Sequence, residues 1–262
     1  FSTEKKFYHD KFHSISDLIH EKVYTNKQKK NFLPSRFNSK IKNITYFTVS
    51  DDEHQSFGKD FNPPFLTNQK QIIEKICKMI EKKNNHHLWI RMHPRLSGVP
   101  WAESEFYNSL QIKYKNVSVI LPDSKVSSYA LMYNSQKVIC YWSLLIPETA
   151  FWRKMKPISF VKSDFTEIGI SIVPKNIKHL EKLIFSKNKY EINLRAKALG
   201  WAKFYLSAGK KVQYLSRYSE TGFKFRKRKI KIGVYYTFMY LTSKFLEKNV
   251  LSNFISYIFR SR

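Results

Sequence analysis

Short apolar segments alternate with segments of helical periodicity through the middle of the chain. Residues 44–50 are β-branched and aromatic and predict a strand. Residues 68–83 follow, with apolar side chains three and four positions apart, which is the spacing of one helix face. The alternation continues and predicts strands at 87–94, 117–122, 138–141, 157–161 and 170–174, and helices at 103–114, within 123–135, around 148, at 177–185 and from 192 to about 217.

Strands that alternate with helices of this length are typical of a parallel sheet with helices on both faces. The sequence therefore predicts an α/β, Rossmann-like domain over residues 41–220. Residues 1–40 are basic and weakly periodic, with a candidate helix at 14–24, and we expect them to be the end of a preceding domain or a linker. Because the sequence starts at Phe1 and not at Met, we also expect an N-terminal part to precede it.

Residues 221–262 differ in character from the rest. Six of the eight residues at 224–231 are basic, and aromatic, aliphatic and lysine residues are mixed after them. This pattern predicts a basic, amphipathic helical tail that either meets anionic lipid or packs against a missing N-terminal domain. The residues expected to make the membrane or anion contact are Lys224, Arg226, Lys227, Arg228, Lys229 and Lys231.

The composition limits the class of protein but does not choose a partner. A formal charge of +27, from 47 Lys+Arg against 20 Asp+Glu, favours nucleic acid, a membrane surface or phosphorylated substrates. Lysine is abundant together with Asn, Ile, Phe and Tyr, as in an AT-rich genome, so the charge alone decides little. Cys77 and Cys140 lie in apolar segments and are expected to be small buried hydrophobes in a reducing compartment. The chain shows no signal-peptide pattern and no uncharged apolar run of about 18 residues.

Polar side chains follow three of the predicted strands. They are Asp51, Asp52 and Glu53, then Arg91 and His93, then Ser143. Because the carboxyl ends of parallel strands share one edge of a sheet, we expect these groups to face a common ligand. The Ser143 hydroxyl and the amides of the helix after it can hold a phosphate, and Glu148 can accept ribose hydroxyls. The alternative is an N-cap serine followed by a solvated glutamate.

Other roles stay open for these groups. The acidic run can bind sugar hydroxyls, cap a helix or serve as a base, and His93 can contact a ligand or make a structural hydrogen bond at a strand end. No GxGxxG follows any strand, so a dinucleotide site has no support. Basic groups at the strand ends can neutralise a leaving diphosphate without a metal. Since His86 and His87 have no partners at metal-ligand spacing, we expect neither a metal nor a cofactor.

Four segments in a fixed order point to a known family. They are SDDEHQSFGKDF (50–61), IRMHP (90–94), PDSKVSSYALM (122–132) and YWSLLIPETAFW (141–152). With these segments, residues 44–215 resemble the C-terminal half of bacterial glycosyltransferases of capsule and surface polysaccharide biosynthesis. The resemblance implies a GT-B fold in which this half binds a nucleotide-sugar donor. It further implies a saccharide or lipid-linked saccharide acceptor, bound by the other half.

The resemblance also implies roles for single residues. His93 and Pro94 match the His-Pro motif near the donor phosphate, Ser143 matches a serine in a turn, and Glu148 matches the glutamate that holds the nucleotide. A serine pair at a helix start is matched by Ser127 and Ser128. The implied location is the cytoplasm, at the inner face of the plasma membrane. Without the acceptor half, we expect this chain alone to be inactive.

Two departures from the family pattern bear on activity. Trp142 and Pro147 stand where the family has glycine. Pro147 is tolerated in the first turn of a helix, whereas Trp142 removes the freedom that lets a glycine backbone approach a phosphate. The alternatives are therefore a catalytically silent, membrane-associated copy or, from the charge and aromatic content, a basic nucleic-acid-binding protein. No nucleic-acid motif supports the latter, so no nucleic-acid partner is expected.

Overall fold

The structure, a computed structural model, describes residues 2–13, 27–50, 63, 65–66, 68–97, 101–188 and 191–207, together with the backbone of three short strands after residue 214. The chain divides into two compact units. The first comprises Phe1–Ser16 and Val23–Ala208, and the second comprises Asp17–Lys22 and Gly209–Arg262.

The first unit is built on a five-stranded parallel sheet with the order β3-β2-β1-β4-β5. The strands are β1 (Lys42–Phe47), β2 (His86–Arg91), β3 (Val117–Ile120), β4 (Lys137–Cys140) and β5 (Ile158–Ser159). From β1 the chain proceeds outward on one side to β3, then returns to the other side of β1 and proceeds to β5. Phe47 is therefore paired with Arg91 on one side and with Cys140 on the other. This is the strand order of the Rossmann fold.

Helices cover both faces of the sheet. They are α1 (Thr3–Phe12), α2 (Gln69–Glu81), α3 (Trp101–Lys113), α4 (Ser128–Asn134), α5 (Leu145–Arg153), α6 (Asp164–Glu167), α7 (Ile177–Phe185) and α8 (Leu194–Ser207). One hydrophobic cluster joins the sheet to α2, α3 and α7, and a second joins it to α1, α4, α5, α6 and α8. The predicted α/β fold with helices on both faces is confirmed.

Local sequence explains where several elements begin and end. The Asn68 side chain accepts a hydrogen bond from the Gln71 amide (2.9 Å) and so caps α2, whose apolar face is completely buried at Ile72, Ile73 and Ile76. Asn176 caps α7 in the same way. β2 ends at Arg91, before Pro94, which has no N–H to donate to a neighbouring strand.

Two predicted elements are wrong in part. The predicted strand at 170–174 is reduced to a single bridge between Ile172 and Ile158. On the side of Ile172 that faces β5, the Ile170 amide donates instead to the Phe165 carbonyl (2.9 Å), and Pro174 has no N–H to donate. The predicted long helix ends at Ser207, and Leu215–Arg217 forms a strand, β6, not the last turn of that helix. Gly209 lies between them in the sequence and is disfavoured inside a helix.

The first helix, α1, was not predicted. The Tyr8 hydroxyl donates a hydrogen bond to the Ala198 carbonyl of α8 (2.7 Å), and the Tyr8 ring stacks on Phe151 of α5 with centroids 4.2 Å apart. α1 therefore packs against the helices of the first unit. The candidate helix at 14–24 lies outside the described residues. The division at residue 40, with a preceding domain or linker before it, stays a prediction.

The described part of the second unit is a three-stranded antiparallel sheet of β6, β7 (Phe223–Phe225) and β8 (Arg228–Lys229). The predicted helical tail is wrong for these residues. Phe-Lys-Phe alternates apolar and basic positions with a period of two, which favours a strand, and aromatic residues fit a pleated surface. Of the expected anion contacts, Lys224, Arg228 and Lys229 lie in these strands, whereas Arg226, Lys227 and Lys231 lie outside the described residues, as does the chain from 230 onward.

The two cysteines are free and completely buried, as predicted. Cys77 belongs to the cluster on one face of the sheet and Cys140 to the cluster on the other. Burial raises the pKa of the Cys77 thiol to about 12. None of the described helices combines the length and the apolar character needed to cross a bilayer.

Candidate nucleotide-binding site

The strand order reverses between β1 and β4. The chain leaves β1 toward α2 on one face and leaves β4 toward α5 on the other, so a crevice opens at the carboxyl ends of these two strands. We call the residues that follow the strands here, 48–50, 92–97, 121–127 and 141–144, the carboxyl edge. In open α/β sheets, ligands bind at such a reversal. Of the predicted site residues in the described part of the chain, His93, Pro94, Ser127 and Ser143 lie in the carboxyl edge. Arg91 ends β2, and Ser128 and Glu148 lie in the helices α4 and α5 that follow the edge.

The segment after β1 is held by side chains from two other elements. The Thr48 hydroxyl accepts a hydrogen bond from the His93 amide (2.9 Å). The Gln69 side-chain amide bonds both backbone groups of Val49, accepting from its N–H (2.9 Å) and donating to its carbonyl (3.0 Å). Gln69 thus replaces a neighbouring strand where the sheet ends.

Ser50 comes next, as the first residue of the polar strand end 50–53 that the sequence predicts to face a ligand. Its hydroxyl is buried and has no hydrogen-bond partner among the described residues. Ser50 lies three residues after Phe47, and Ser143 lies three residues after Cys140. Phe47 and Cys140 are the last paired residues of β1 and β4. The sequence predicts the place of Ser50 at the strand end, and the structure adds that its hydroxyl is buried. The acidic run Asp51, Asp52 and Glu53 lies outside the described residues, and its roles stay predictions.

The structure gives Arg91 partners within the protein. Its side chain is 2% exposed, and its guanidinium donates to the carbonyls of Leu121, Pro122 and Ser124, in the loop after β3. Burial lowers the pKa of Arg91 to about 10, although the nearby Asp123 opposes this effect. Arg91 therefore holds the loop that follows β3. Its contact with a ligand stays a prediction.

His93 lies half-buried directly after β2 and next to the end of β1. Its amide donates to Thr48, so the structural hydrogen bond at the strand end is present, and it involves the backbone and not the imidazole. Pro94 begins a short 3-10 helix, Pro94–Leu96, in which the Leu96 amide donates to the His93 carbonyl (2.9 Å). The His-Pro pair thus turns the chain away from the sheet at the crevice.

Ser143 lies between β4 and α5 and acts at the helix start. Its hydroxyl accepts a hydrogen bond from the Leu145 amide (3.2 Å), and its carbonyl accepts from the Ile146 amide (3.0 Å). This arrangement satisfies two of the helix N–H groups that otherwise lack partners. Pro147 lies in the first turn of α5, as predicted, where its missing N–H costs little.

Glu148 is 5% exposed, so the alternative of a solvated glutamate is wrong. It follows Pro147 in α5 and belongs to the face that carries α1 and α8. Burial raises the pKa of Tyr8 and of Cys140, and the Glu148 charge raises both further, which places its carboxylate near these two side chains. A buried carboxylate one turn from a helix N-terminus is an unusual and costly feature. A role only as a solvated surface residue does not account for the burial of Glu148.

Ser127 and Ser128 lie at the start of α4 and are both buried. Ser127 is the N-cap, since its hydroxyl accepts from the Ala130 amide (3.1 Å). The Ser128 amide donates to the Gln28 side chain (2.7 Å), and the Ser127 amide donates to the Phe32 carbonyl (2.8 Å). The segment before β1 therefore occupies these amides. A donor contact of the two serines stays a prediction.

Trp142 lies in the carboxyl edge, two residues after the end of β4. Its side chain is half-buried and packs against both hydrophobic clusters, with its ring centroid 6.4 Å from that of Phe165. The large side chain thus fills space that a glycine would leave open to a ligand. This agrees with a donor geometry different from that of the family, or with a silent copy, and does not choose between them.

Among the described residues, no group of three or more His, Cys, Asp or Glu side chains is arranged to hold a metal ion. His86 and His87 lie at the amino end of β2, away from the crevice. The His87 imidazole contacts the Ser118 hydroxyl (3.0 Å), and burial lowers its pKa to about 4. It is therefore a neutral, packed side chain at neutral pH.

Comparison with known proteins gives similarity to solved structures only. No protein-family model matches the chain, and no curated protein matches its sequence. A protein described as a UDP-N-acetylglucosamine 2-epimerase from Listeria monocytogenes has 12% identity and a TM-score of 0.43 over 72% of this chain and 52% of its own. The UDP-GlcNAc 2-epimerase of Methanocaldococcus jannaschii, in complex with UDP-GlcNAc and UDP, has 18% identity and a TM-score of 0.40 over 66% and 47%.

A third similar structure is KpsC of Thermosulfurimonas dismutans, a β-Kdo 2,4 transferase, with 11% identity and a TM-score of 0.40. The match covers 76% of this chain and 55% of that one. The chain thus spans about half the length of each of these structures. At these scores the likeness does not identify a reaction. The Rossmann-like fold of this chain rests on its own strand order.

Proposed function

We propose that this chain is the donor-binding half of a glycosyltransferase of the GT-B type. In this proposal it binds a nucleotide-sugar in the crevice between β1 and β4 and takes part in bacterial capsule or surface polysaccharide biosynthesis. The observation that carries the proposal is the reversal of strand order, which brings His93, Ser143 and the N-terminus of α5 to one edge of the sheet. Each of the four sequence segments of the family resemblance has described residues on the same edge: Ser50, 92–94, 122–127 and 141–144.

The proposed chemistry assigns a role to each group. Departure of the nucleotide diphosphate is favoured by positive potential, which the α5 N-terminus supplies as partial charge and His93 supplies as a hydrogen-bond donor. Glu148 accepts hydrogen bonds from the ribose hydroxyls, and Ser50 offers a further hydroxyl from the segment after β1. Such a site needs no metal, since the neutralising groups come from the protein. The catalytic base comes from the acidic run at 51–53 or from the acceptor half.

The acceptor in this proposal is a saccharide or a lipid-linked saccharide. The basic segment 224–231 then contacts the anionic inner face of the plasma membrane, and the protein works in the cytoplasm next to that surface. The reducing environment expected there agrees with two free cysteines.

A nucleotide-binding measurement tests the proposal. We expect one of CMP, UDP and GDP to raise the melting temperature by several degrees and to bind in calorimetry with a dissociation constant of about 1 mM or lower. A short oligonucleotide serves as the competing ligand. Binding to the oligonucleotide alone, with steep salt dependence, would support the nucleic-acid alternative instead. Binding to none of them would leave the silent copy.

Two variants locate the bound nucleotide. His93→Ala removes the proposed phosphate contact, and Glu148→Gln removes the ribose acceptor charge while keeping the side-chain volume. Each is expected to weaken binding about tenfold or more, the loss of a charge-assisted hydrogen bond. His9→Ala, an exposed histidine on α1, is the matched control and should bind normally. Full affinity in both site variants would show that the crevice residues are assigned wrongly.

A further inference from the structure

The end of the sheet opposite the crevice carries a one-sided charge. We call the connections that lead into the strands, with the residues after α7, the amino edge: residues 40–42, 82–86, 114–117, 135–137, 154–158 and 186–188. Every one of these connections contains lysine. The lysines are Lys40, Lys42, Lys82, Lys83, Lys115, Lys137, Lys154, Lys156 and Lys187.

Hydrogen bonds join these connections into one surface. The Lys42 amide donates to the Asn85 carbonyl (2.8 Å), and the Asn116 side chain donates to the Lys83 carbonyl (3.2 Å). The Asn188 side chain donates to the Gln136 carbonyl (2.5 Å). The lysines before β1, β2 and β3 are thus neighbours, and the end of α7 adjoins the connection before β4. Five parallel strands make this edge about 20 Å wide.

Acidic side chains do little to balance the amino edge. Glu81, the last residue of α2, and Glu191, which pairs with Lys156 (2.8 Å), are the acidic residues next to these connections in the sequence. The helices that end here contribute the negative ends of their dipoles, about half a charge each, and this offsets only part of the excess. The opposite end of the sheet differs, because Lys125 in the carboxyl edge is accompanied by Asp123, and Lys162 after β5 is accompanied by Asp164.

The positive charge of this edge also affects a buried histidine. After burial, the charges of Lys42 and Lys83 are the causes that lower the pKa of His86, the first residue of β2. The Lys83 ammonium lies 5.3 Å from the centroid of the Phe185 ring, which meets the His86 ring edge-on at 5.1 Å. Phe185 is therefore covered and does not offer a free stacking surface.

We infer that the amino edge is a docking surface for an anionic phospholipid bilayer. The charged groups on its connections are all lysines. Lys137 is buried, and the other lysines act as mobile point charges that suit a diffuse anionic surface. Recognition of nucleic acid favours arginine forks and aromatic platforms, and the described residues of this edge offer neither. This surface is independent of the basic segment 224–231. When the amino edge is docked on the bilayer, the crevice at the opposite end of the sheet opens away from the lipid.

Vesicle binding by the full chain tests this inference. The edge variant replaces Lys42, Lys82, Lys83, Lys115 and Lys187 by glutamine, and the control variant does the same at Lys125, Lys162, Lys178, Lys197 and Lys203. All ten are exposed, so both variants lose the same charge and should fold. Each lysine near an anionic bilayer strengthens binding roughly fivefold. On vesicles containing about one-third phosphatidylglycerol, the edge variant should therefore bind about 3,000-fold more weakly if all five lysines contact the lipid and at least about 30-fold more weakly if two of them do, and the control variant less than about fivefold.

Three results would overturn the inference. Equal weakening of both variants would show that total charge matters and the edge does not. Unchanged binding of the edge variant would assign the lipid contact to another part of the chain. Loss of oligonucleotide binding in the edge variant, with vesicle binding intact, would make the amino edge a nucleic-acid surface.

A second measurement reads the orientation directly. Single cysteines introduced as Lys115→Cys on the amino edge and Lys125→Cys on the carboxyl edge can carry an environment-sensitive dye, because the native cysteines are buried. Lipid-borne quenchers should reduce the emission at 115 several-fold more than at 125. Equal quenching at both positions would contradict the docking geometry.

Discussion

Single residues show how a polar side chain near a site can serve the fold instead of the ligand. Arg91 follows the pattern of a phosphate-binding arginine, yet its donors meet carbonyl groups of the loop after β3. A buried guanidinium needs partners for its donors, and these carbonyls supply them for both terminal nitrogens, whereas the buried Nε has no partner among the described residues. The same carbonyls would lose their partner if the arginine were removed.

Arg91→Met tests this structural role. We expect a loss of about 3 kcal/mol in the free energy of unfolding, because the variant removes a buried charged donor and leaves its acceptor carbonyls without a hydrogen-bond partner. Urea denaturation at equilibrium measures it. Arg195→Met is the control, since Arg195 is exposed and only stacks on Phe151 (4.6 Å), and it should cost less than about 1 kcal/mol. A variant that keeps full stability but no longer binds nucleotide would assign Arg91 to the ligand.

Elements of the fold depend on contacts that no local pattern contains. β1 is paired with a strand on each side as far as Phe47. Beyond Phe47, the Gln69 side chain supplies the hydrogen bonds that Val49 would otherwise lack. Gln69 is the first residue of α2, directly after the cap Asn68. One side chain therefore couples the start of a helix to the end of a strand at the crevice.

Gln69→Ala should separate these two elements. It leaves a buried N–H and a buried carbonyl of Val49 without partners, and we expect a loss of about 2 kcal/mol in unfolding free energy. Hydrogen exchange of the Val49 amide should also become faster. Gln71→Ala, on the exposed side of the same helix, is the matched control and should change stability by less than about 0.5 kcal/mol. Unchanged exchange at Val49 would contradict the coupling.

At the scale of the whole molecule, the two cysteines report on the two cores. Cys77 lies in one cluster and Cys140 in the other, on opposite faces of the sheet. Both thiols are completely buried, and burial raises the pKa of each, so the reactive thiolate is scarce and shielded at neutral pH. Modification of either thiol requires that its core opens.

A thiol reagent should therefore label the native chain at least about a thousandfold more slowly than the chain in denaturant, where both cysteines react. Mass spectrometry of the labelled peptides distinguishes the two sites. The exposed Lys125→Cys is the control and should react at once. Fast labelling of Cys77 alone would show that the face with α2, α3 and α7 opens separately, and the two cores would then not act as one unit.

The sequence by itself determined the kind of fold. Period-two and helical periodicities are local properties, so the strands and most of the helices from β1 to α7 were identified from the chain directly, and their alternation implied a parallel sheet. The four-residue helix α6 was not predicted, because it is too short to show a period. The sequence also placed the polar residues after β1, β2 and β4, because a strand end is visible where an apolar run stops. Burial of both cysteines followed from their apolar neighbours.

The tertiary structure alone decided how these parts meet. The order of the strands, and with it the crevice between β1 and β4, depends on pairing between segments far apart in the chain. The same holds for the partners of Arg91, some 30 residues away, for the burial of Glu148, and for α1, whose Tyr8 bonds to Ala198. Such contacts are set by packing across the whole fold, and packing leaves no periodic trace in the sequence.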